Sequence, residues 1–175
     1  MSTAFLKEAT LEQEAVIPRP VSLLPPGARN YVTPQGINSL RAELKRLVEE
    51  EGPALSALAP EDPDTKRLRQ ILSRRIEYVS ESLRTAETPA VPTGGDRVEF
   101  GSTVTIRDPQ NAESTYRLVG VDEADAGENR ISWRAPIAKA LWHARVGDRV
   151  PFVRPSGRTE LEIVAIAYEA AGQNP

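Results

Sequence analysis

A chain of 175 residues carrying a net charge of −3, no cysteine and a single histidine excludes several classes of chemistry at once. Free nucleic acid is not expected as the primary ligand, because phosphate binding needs a basic surface to displace counterions, so any contact with RNA or DNA is local. Without cysteine, and with His143 as the only histidine, the chain cannot build a disulfide scaffold, a thiolate zinc site, a His-centred metal cage or a Ser-His-Asp triad within itself.

The length suits one ordinary domain or two small ones, and a change of texture along the chain argues for two. The opening "MSTAFLKEATLEQEAV" places Glu8, Glu12 and Glu14 where a signal peptide would need its apolar run, and no stretch approaches membrane-spanning length. A soluble, cytoplasmic protein without a membrane partner is expected.

Residues 1–32 read as an arm. "IPRPVSLLPPGARN" carries four prolines and a glycine, which hinder helix and strand alike and leave an extended segment that is flexible unless Leu23 and Leu24 dock on the body.

The spacing predicts a helix from "YVTPQGINSLRAEL", with Thr33 as N-cap and Pro34 in the first turn, where its missing N–H costs nothing. Ile37, Leu40, Leu44, Leu47, Leu55 and Leu58 then form one narrow apolar stripe. Pro53, within "EEEGPAL", predicts a kink or a break. A second helix is expected after "PEDPDT", capped by Asp64 or Thr65, with Leu68, Leu72, Ile76, Val79, Leu83 and Ala86 as its stripe. Two such stripes joined by a short acidic turn predict an antiparallel coiled-coil hairpin over 33–88, since each alone would stay wet.

The acids of the turn, Glu61, Asp62 and Asp64, admit two readings. Carboxylates at the end of a stiff rod can help hold a hard cation such as Mg²⁺ if another macromolecule supplies the remaining ligands. Asp and Pro are equally what a solvated turn and a helix N-terminus require. The basic face Lys66, Arg67, Arg69, Arg74 and Arg75 is likewise either a solvated helix surface or a contact with RNA or acidic channel walls.

After a linker over 89–95, short β-branched runs ("RVEF", "STVTIRD", "STYRLVGV", "RISW", "RVPFV", "ELEIVAIAY") alternate with turn clusters, and one short helix, "PIAKALWHAR", interrupts them. This predicts an α+β domain over 96–170 with a mostly antiparallel sheet, then a tail over 171–175. Trp133 and Trp142 are expected to fill its core, and His143 to sit near a helix end, where carbonyl dipoles favour a cation. No phosphate loop or dinucleotide fingerprint is present: "VPTGGD" lacks the Lys-Ser/Thr of the former, and "LVGVDEADAG" spaces its glycines too widely for the latter. No enzyme chemistry of its own is expected.

From Tyr31 to Tyr168 the chain resembles the bacterial Gre transcript-cleavage and elongation factors, the type B branch more closely than the type A. The resemblance rests on "VTPQGINSLRAELKRLVEEEGP", "KRLRQILSRRIEYV" and above all "YRLVGVDEADAGENRISWRAPIAKALWHARVGDRV". It implies a monomer whose hairpin enters the secondary channel of RNA polymerase while an FKBP-like C-terminal domain docks on the channel rim. In this family two tip acids help hold the second Mg²⁺ of the polymerase, which cuts backtracked RNA; the factor has no cofactor of its own.

Two departures qualify the implied role. The family's Asp-x-x-Glu-Asn tip pattern is missing, and the hairpin is roughly a dozen residues short, which at 1.5 Å rise per residue withdraws the tip by ~10 Å. The family's docking "Asp-Ser-Pro" is represented by Arg134, Ala135 and Pro136, a reversal of charge on a docking edge. The expectation is a regulator of the polymerase without efficient cleavage. The alternatives are an active cleavage factor using Glu61, Asp62 or Asp64 and, more weakly, an FKBP-like interaction or folding helper.

Overall fold

The computed structural model of the chain describes residues 24–59, 61–90, 95–154 and 157–168. Most of the expected arm including Leu23, the stretch 91–94 of the expected linker, and the expected tail lie outside the described residues.

Helix α1 (Pro34–Arg46) starts as its sequence dictates. Thr33 is extended, its hydroxyl accepts the Gly36 N–H at 3.0 Å, and Pro34 opens the first turn. Pro53 then acts from a distance. It can donate nothing to the preceding turn, and the backbone widens over Leu47–Glu51 into a π-helical turn in which the Gly52 N–H reaches Leu47 O. A short helix α2 (Gly52–Ser56) comes next.

Helix α3 (Pro63–Thr85) is capped by Asp62, not by Asp64 or Thr65: Pro63 takes the first helical position, so the cap falls one residue before it. The helix returns alongside α1, as shown by the bidentate pair of Arg75 with Glu43 at 2.6 and 2.9 Å and by the Arg69 guanidinium on Leu55 O. At its base, strand β1 (Asn30–Tyr31) pairs with strand β2 (Ala86–Glu87), and the Asn30 amide donates to Ser82 O at 3.0 Å.

The two helices share a core of Val32, Leu40, Leu47 and Val79, flanked by Ile37, Leu44, Leu72, Ile76, Leu83 and Ala86. The expected stripe fails towards the tip, where Leu58 and Leu68 are 49% and 47% exposed. The extra residue of the π turn rotates the residues after it by about one position on the helical wheel, so the distal leucines no longer meet.

The remainder is α+β: a curled five-stranded sheet with one helix. Its order is β5-β4-β3-β7-β6, formed by β3 (Ser102–Arg107), β4 (Glu113–Val119), β5 (Arg130–Ser132), β6 (Arg149–Arg154) and β7 (Gly157–Tyr168). All pairings are antiparallel except β4 with β5. "RVEF" is no strand. Arg97 makes only an isolated bridge to Arg145, and the Val98 N–H and carbonyl pair with Ala144 and His143.

Strand β3 alternates buried and half-buried residues, as a sheet covered on one face must. A register shift between Thr105 and Ile106 against β7 bends the sheet. Helix α4 (Pro136–Leu141) lies on the covered face, its Ala138 and Leu141 buried with Val104, Ile106, Leu118, Leu161 and Ile163.

The connection from β4 to β5 fastens the halves together. It carries Asp122 and Glu123 in a 3₁₀ turn, Val121–Glu123. The Glu123 carboxylate accepts the Thr33 N–H at 2.9 Å, the Gly120 N–H at 3.0 Å and the Thr33 hydroxyl. Asp122 accepts the Ser82 hydroxyl at 2.6 Å and the Tyr78 hydroxyl. One acid thus grips the start of α1 and the other grips α3. Gly36 leaves the room for this, since a Cβ there would lie 2.2 Å from the Glu123 carboxyl carbon.

Gly36→Ala, ordinarily favourable in a helix by about 1 kcal/mol, is therefore expected to destabilise the chain by about 1–3 kcal/mol in urea unfolding. Unchanged or increased stability would show that Glu123 can leave its seat without loss.

Candidate functional site

The acidic tip is built by α3's need for a cap. Asp62 Oδ2 accepts both the backbone N–H and the hydroxyl of Thr65 at 2.8 Å. These bonds, the hydroxyl's first and the backbone's second, hold the Asp62 carboxyl below its ordinary value. Glu61, 89% exposed, pairs with Lys66 at 2.9 Å. Asp64 lies exposed in the first turn of α3.

The three carboxylates do not converge. Among the described residues no group of three or more acidic, histidine or cysteine side chains is placed to hold a metal ion. The tip as folded caps a helix and satisfies a lysine.

The basic face divides by partner. The Arg69 guanidinium donates to Leu55 O at 3.0 Å and to Leu58 O at 3.3 Å, closing the C-terminal end of α2 against α3. Arg75 is bound to Glu43, a hydrogen-bonded pair that raises its pKa further, and lies 5.3 Å from the Tyr78 ring centroid. Lys66 is held by Glu61. Arg67 has no hydrogen bond or ion pair among the described residues, while Arg74 lines a cavity at the base of α3.

The Tyr78 hydroxyl, half-buried against Asp122, has its pKa raised by burial first and by the neighbouring carboxylate second. It stays a donor throughout the working pH range. Sequence reasoning misses Tyr78, Ser82, Asp122 and Glu123; the only signal is "VGVDE", which reads as a turn.

The segment Arg134, Ala135 and Pro136, expected from the sequence to dock, sits where the sheet half meets the hairpin. Tyr31 packs at a tilt against Phe100 and Trp133 with ring centroids 5.5 and 4.9 Å apart, and Trp133 continues to Trp142 at 6.1 Å. Trp142 packs on the sheet's core as expected, whereas Trp133 belongs to this junction. The Arg134 guanidinium lies 5.4 Å from the Trp133 ring centroid. Ala135 occupies the N-cap of α4 with no side-chain bond to offer, and Pro136 begins the helix. His143 lies beyond the end of α4 at a left-handed φ of 63°, with Nδ1 3.8 Å from Glu99.

The tip predicts a pH signature. A carboxyl held below its ordinary value contributes stability above that value and loses it as pH falls through the depressed one. The Thr65 amide resonance should therefore titrate with a midpoint below the ordinary aspartate range. Asp62→Asn should keep most of the cap and Asp62→Ala should lose it at neutral pH. A Thr65 amide insensitive to both substitutions would remove Asp62 from the cap.

Residues 92–168 match the family model described as "Transcription elongation factor, GreA/GreB, C-term". The chain is 36% identical over 155 residues to transcription elongation factor GreB of Neisseria meningitidis serogroup B, covering 80% of this chain and 94% of that protein. It is 35% identical over 156 residues to transcription elongation factor GreA of Thioalkalivibrio sulfidiphilus, covering 81% and 99%. Among solved structures, GreA factor homolog 1 of Thermus thermophilus aligns with 80% of this chain and 99% of its own, at 26% identity and a TM-score of 0.38.

Proposed function

The chain belongs to the GreA/GreB family of transcription elongation factors, and from that premise we propose that it binds RNA polymerase at the secondary channel and regulates elongation without efficient transcript cleavage. In this reading α1, α2 and α3 are the family's coiled coil and enter the channel. The curled sheet with α4 is the FKBP-like domain, docked on the rim through Arg134, Ala135 and Pro136. The protein acts as a monomer in the cytoplasm, where its polymerase is, and catalyses nothing alone.

The commitment of the tip carries the proposal. A second-metal role requires carboxylate oxygens free to turn to an ion, and the Oδ2 of Asp62 is engaged twice by Thr65 as the cap of α3. The three acids do not fit a Mg²⁺ site as they stand. Metal ligation tolerates errors of only a few tenths of an ångström, so a shortened rod compounds the mismatch.

A second reading, an active cleavage factor, draws support from exposure. Glu61 sits in a solvent-screened pair worth little, and Asp64 has no ion pair or hydrogen bond of its side chain among the described residues. Both could turn to a metal if the polymerase supplied the rest.

A backtracked polymerase complex in Mg²⁺ separates the two readings. Addition of the chain is expected to leave RNA shortening near the polymerase's own rate, and to slow shortening driven by a cleavage-active GreB. Fast shortening that disappears when Glu61, Asp62 and Asp64 become alanine would establish the second reading. Failure to bind polymerase at all would end both.

Arg67 supplies an independent check on insertion. If its unpaired cation meets acidic channel walls or RNA phosphate, Arg67→Glu should weaken the complex about 3- to 10-fold and lower its salt dependence. An unchanged salt slope would assign Arg67 to solvent.

A further inference from the structure

The stretch from Asn129 to Gly147 contains no acid and carries Arg130, Arg134, Lys139 and Arg145, a run of cations in a chain whose net charge is −3. Two of the four are spent inside the molecule. Arg130 pairs with Asp125 and Glu128 at 3.6 and 3.0 Å, and Arg145 pairs with Asp96 at 3.4 Å. The side chains of Arg134 and Lys139 make no ion pair or hydrogen bond among the described residues, and Lys139 is exposed on α4.

Arg134 differs from an ordinary surface arginine in how it is held. Its guanidinium lies 5.4 Å from the Trp133 ring centroid, within cation–π range, and that ring is itself in contact with Tyr31 and Trp142. Contact with a packed ring restricts the side chain before any partner arrives, while its N–H groups remain available, so less ordering is left to be done on binding. Arg107, also half-buried in the sheet half, satisfies its donors on Glu113 at 2.8 Å. No acid serves Arg134 in that way among the described residues.

We propose that Arg134, held on Trp133, is a specificity-determining contact with the polymerase and takes a carboxylate of that enzyme as its partner. The proposal rests on the reading that this segment faces polymerase, and it adds what the facing surface must carry. A carboxylate matches the planar guanidinium with two parallel N–H···O bonds. Lys139 extends the positive field and steers an acidic surface towards the same segment. Pro136, exposed and between the two cations in sequence, adds a small apolar contact that suits a protein surface. RNA or DNA is the weaker partner here, because two unpaired cations neutralise too few phosphates to hold it on an acidic chain.

Binding of the full chain to RNA polymerase core enzyme free of nucleic acid, measured at low and high salt, tests this. Arg134→Glu is expected to weaken the complex about 10-fold or more, and Arg134→Gln about 3- to 10-fold with a shallower salt dependence. Arg134→Lys should lose less than Arg134→Gln, since the charge stays and only the planar fork is removed. That order, with an unchanged urea midpoint, separates loss of a contact from loss of the fold. A cross-linker placed at Lys139 should mark a polymerase peptide containing Asp or Glu, and exchanging that acid for lysine should bring Arg134→Glu back to within about 3-fold of the parent complex. If all three variants bind within about 2-fold of a parent chain that does bind, the inference is overturned and the polymerase reading stands. A parent chain that does not bind ends both. Equal losses on free single-stranded RNA would give Arg134 to phosphate and overturn the inference likewise.

Discussion

Two adjacent carboxylates hold this molecule in one piece. Asp122 and Glu123 lie on the short connection between β4 and β5, and each accepts hydrogen bonds from a different helix. Hydrogen bonds to a charged acceptor contribute about 1.5–3 kcal/mol each when partly buried, more than any surface ion pair along the rod. Their placement matters as much as their strength. The acids meet α1 at its N-terminus, where free N–H groups and the helix dipole favour negative charge, and α3 near its C-terminal end. Both helices are therefore fixed at the same end, and the hairpin is cantilevered from the sheet.

A cantilever is stiff at its root and soft at its tip, and the packing matches that gradient. Val32 and Val79 are buried beside the latch, and Leu47 is the last buried apolar residue of the first helical stretch. Beyond the π turn the apolar residues are half in water, and the pair is held instead by polar devices: Arg75 on Glu43, Arg69 on the carbonyls of Leu55 and Leu58, and Asp62 on Thr65. Arg69 adds a side-chain donor to Leu55 O, which also accepts the Leu58 N–H, and to Leu58 O, and so braces the end of the five-residue helix that contains Pro53 against α3. The tip is thus specified by hydrogen bonds more than by burial.

Much of this is legible in the sequence because it is local. Thr33 and Pro34 announce the first helix by chemistry confined to one turn, and alternation in "STVTIR" announces a half-buried strand. The second helix is announced too, but its cap falls at Asp62 and not at Asp64 or Thr65, because the fixed φ of Pro63 outranks the capping preference of the residues after it. The stripe through Leu58 and Leu68 presumes an unbroken 3.6-residue period, which the π turn interrupts. The latch is not legible at all: Thr33 and Glu123 are 90 positions apart, and nothing in either neighbourhood names the other. The same holds for Tyr31 and Trp133, whose tilted ring contact places an expected core tryptophan at the junction of the two halves.

The latch also bears on what the rod can do. A tip ligand must be placed to within tenths of an ångström, and a rod fixed at its root and loosened beyond Leu47 transmits angular error to its end in proportion to its length. α3 alone spans roughly 34 Å at 1.5 Å per residue, so a tilt of a few degrees at the latch moves Asp62 by more than an ångström. Precise chemistry at such a tip would need carboxylates free to adjust, and Asp62 is committed to the cap that keeps α3 helical to its first turn. The hydrogen bonds of this hairpin are concentrated instead at its root, on Asp122 and Glu123, and between its helices, where Arg75 meets Glu43.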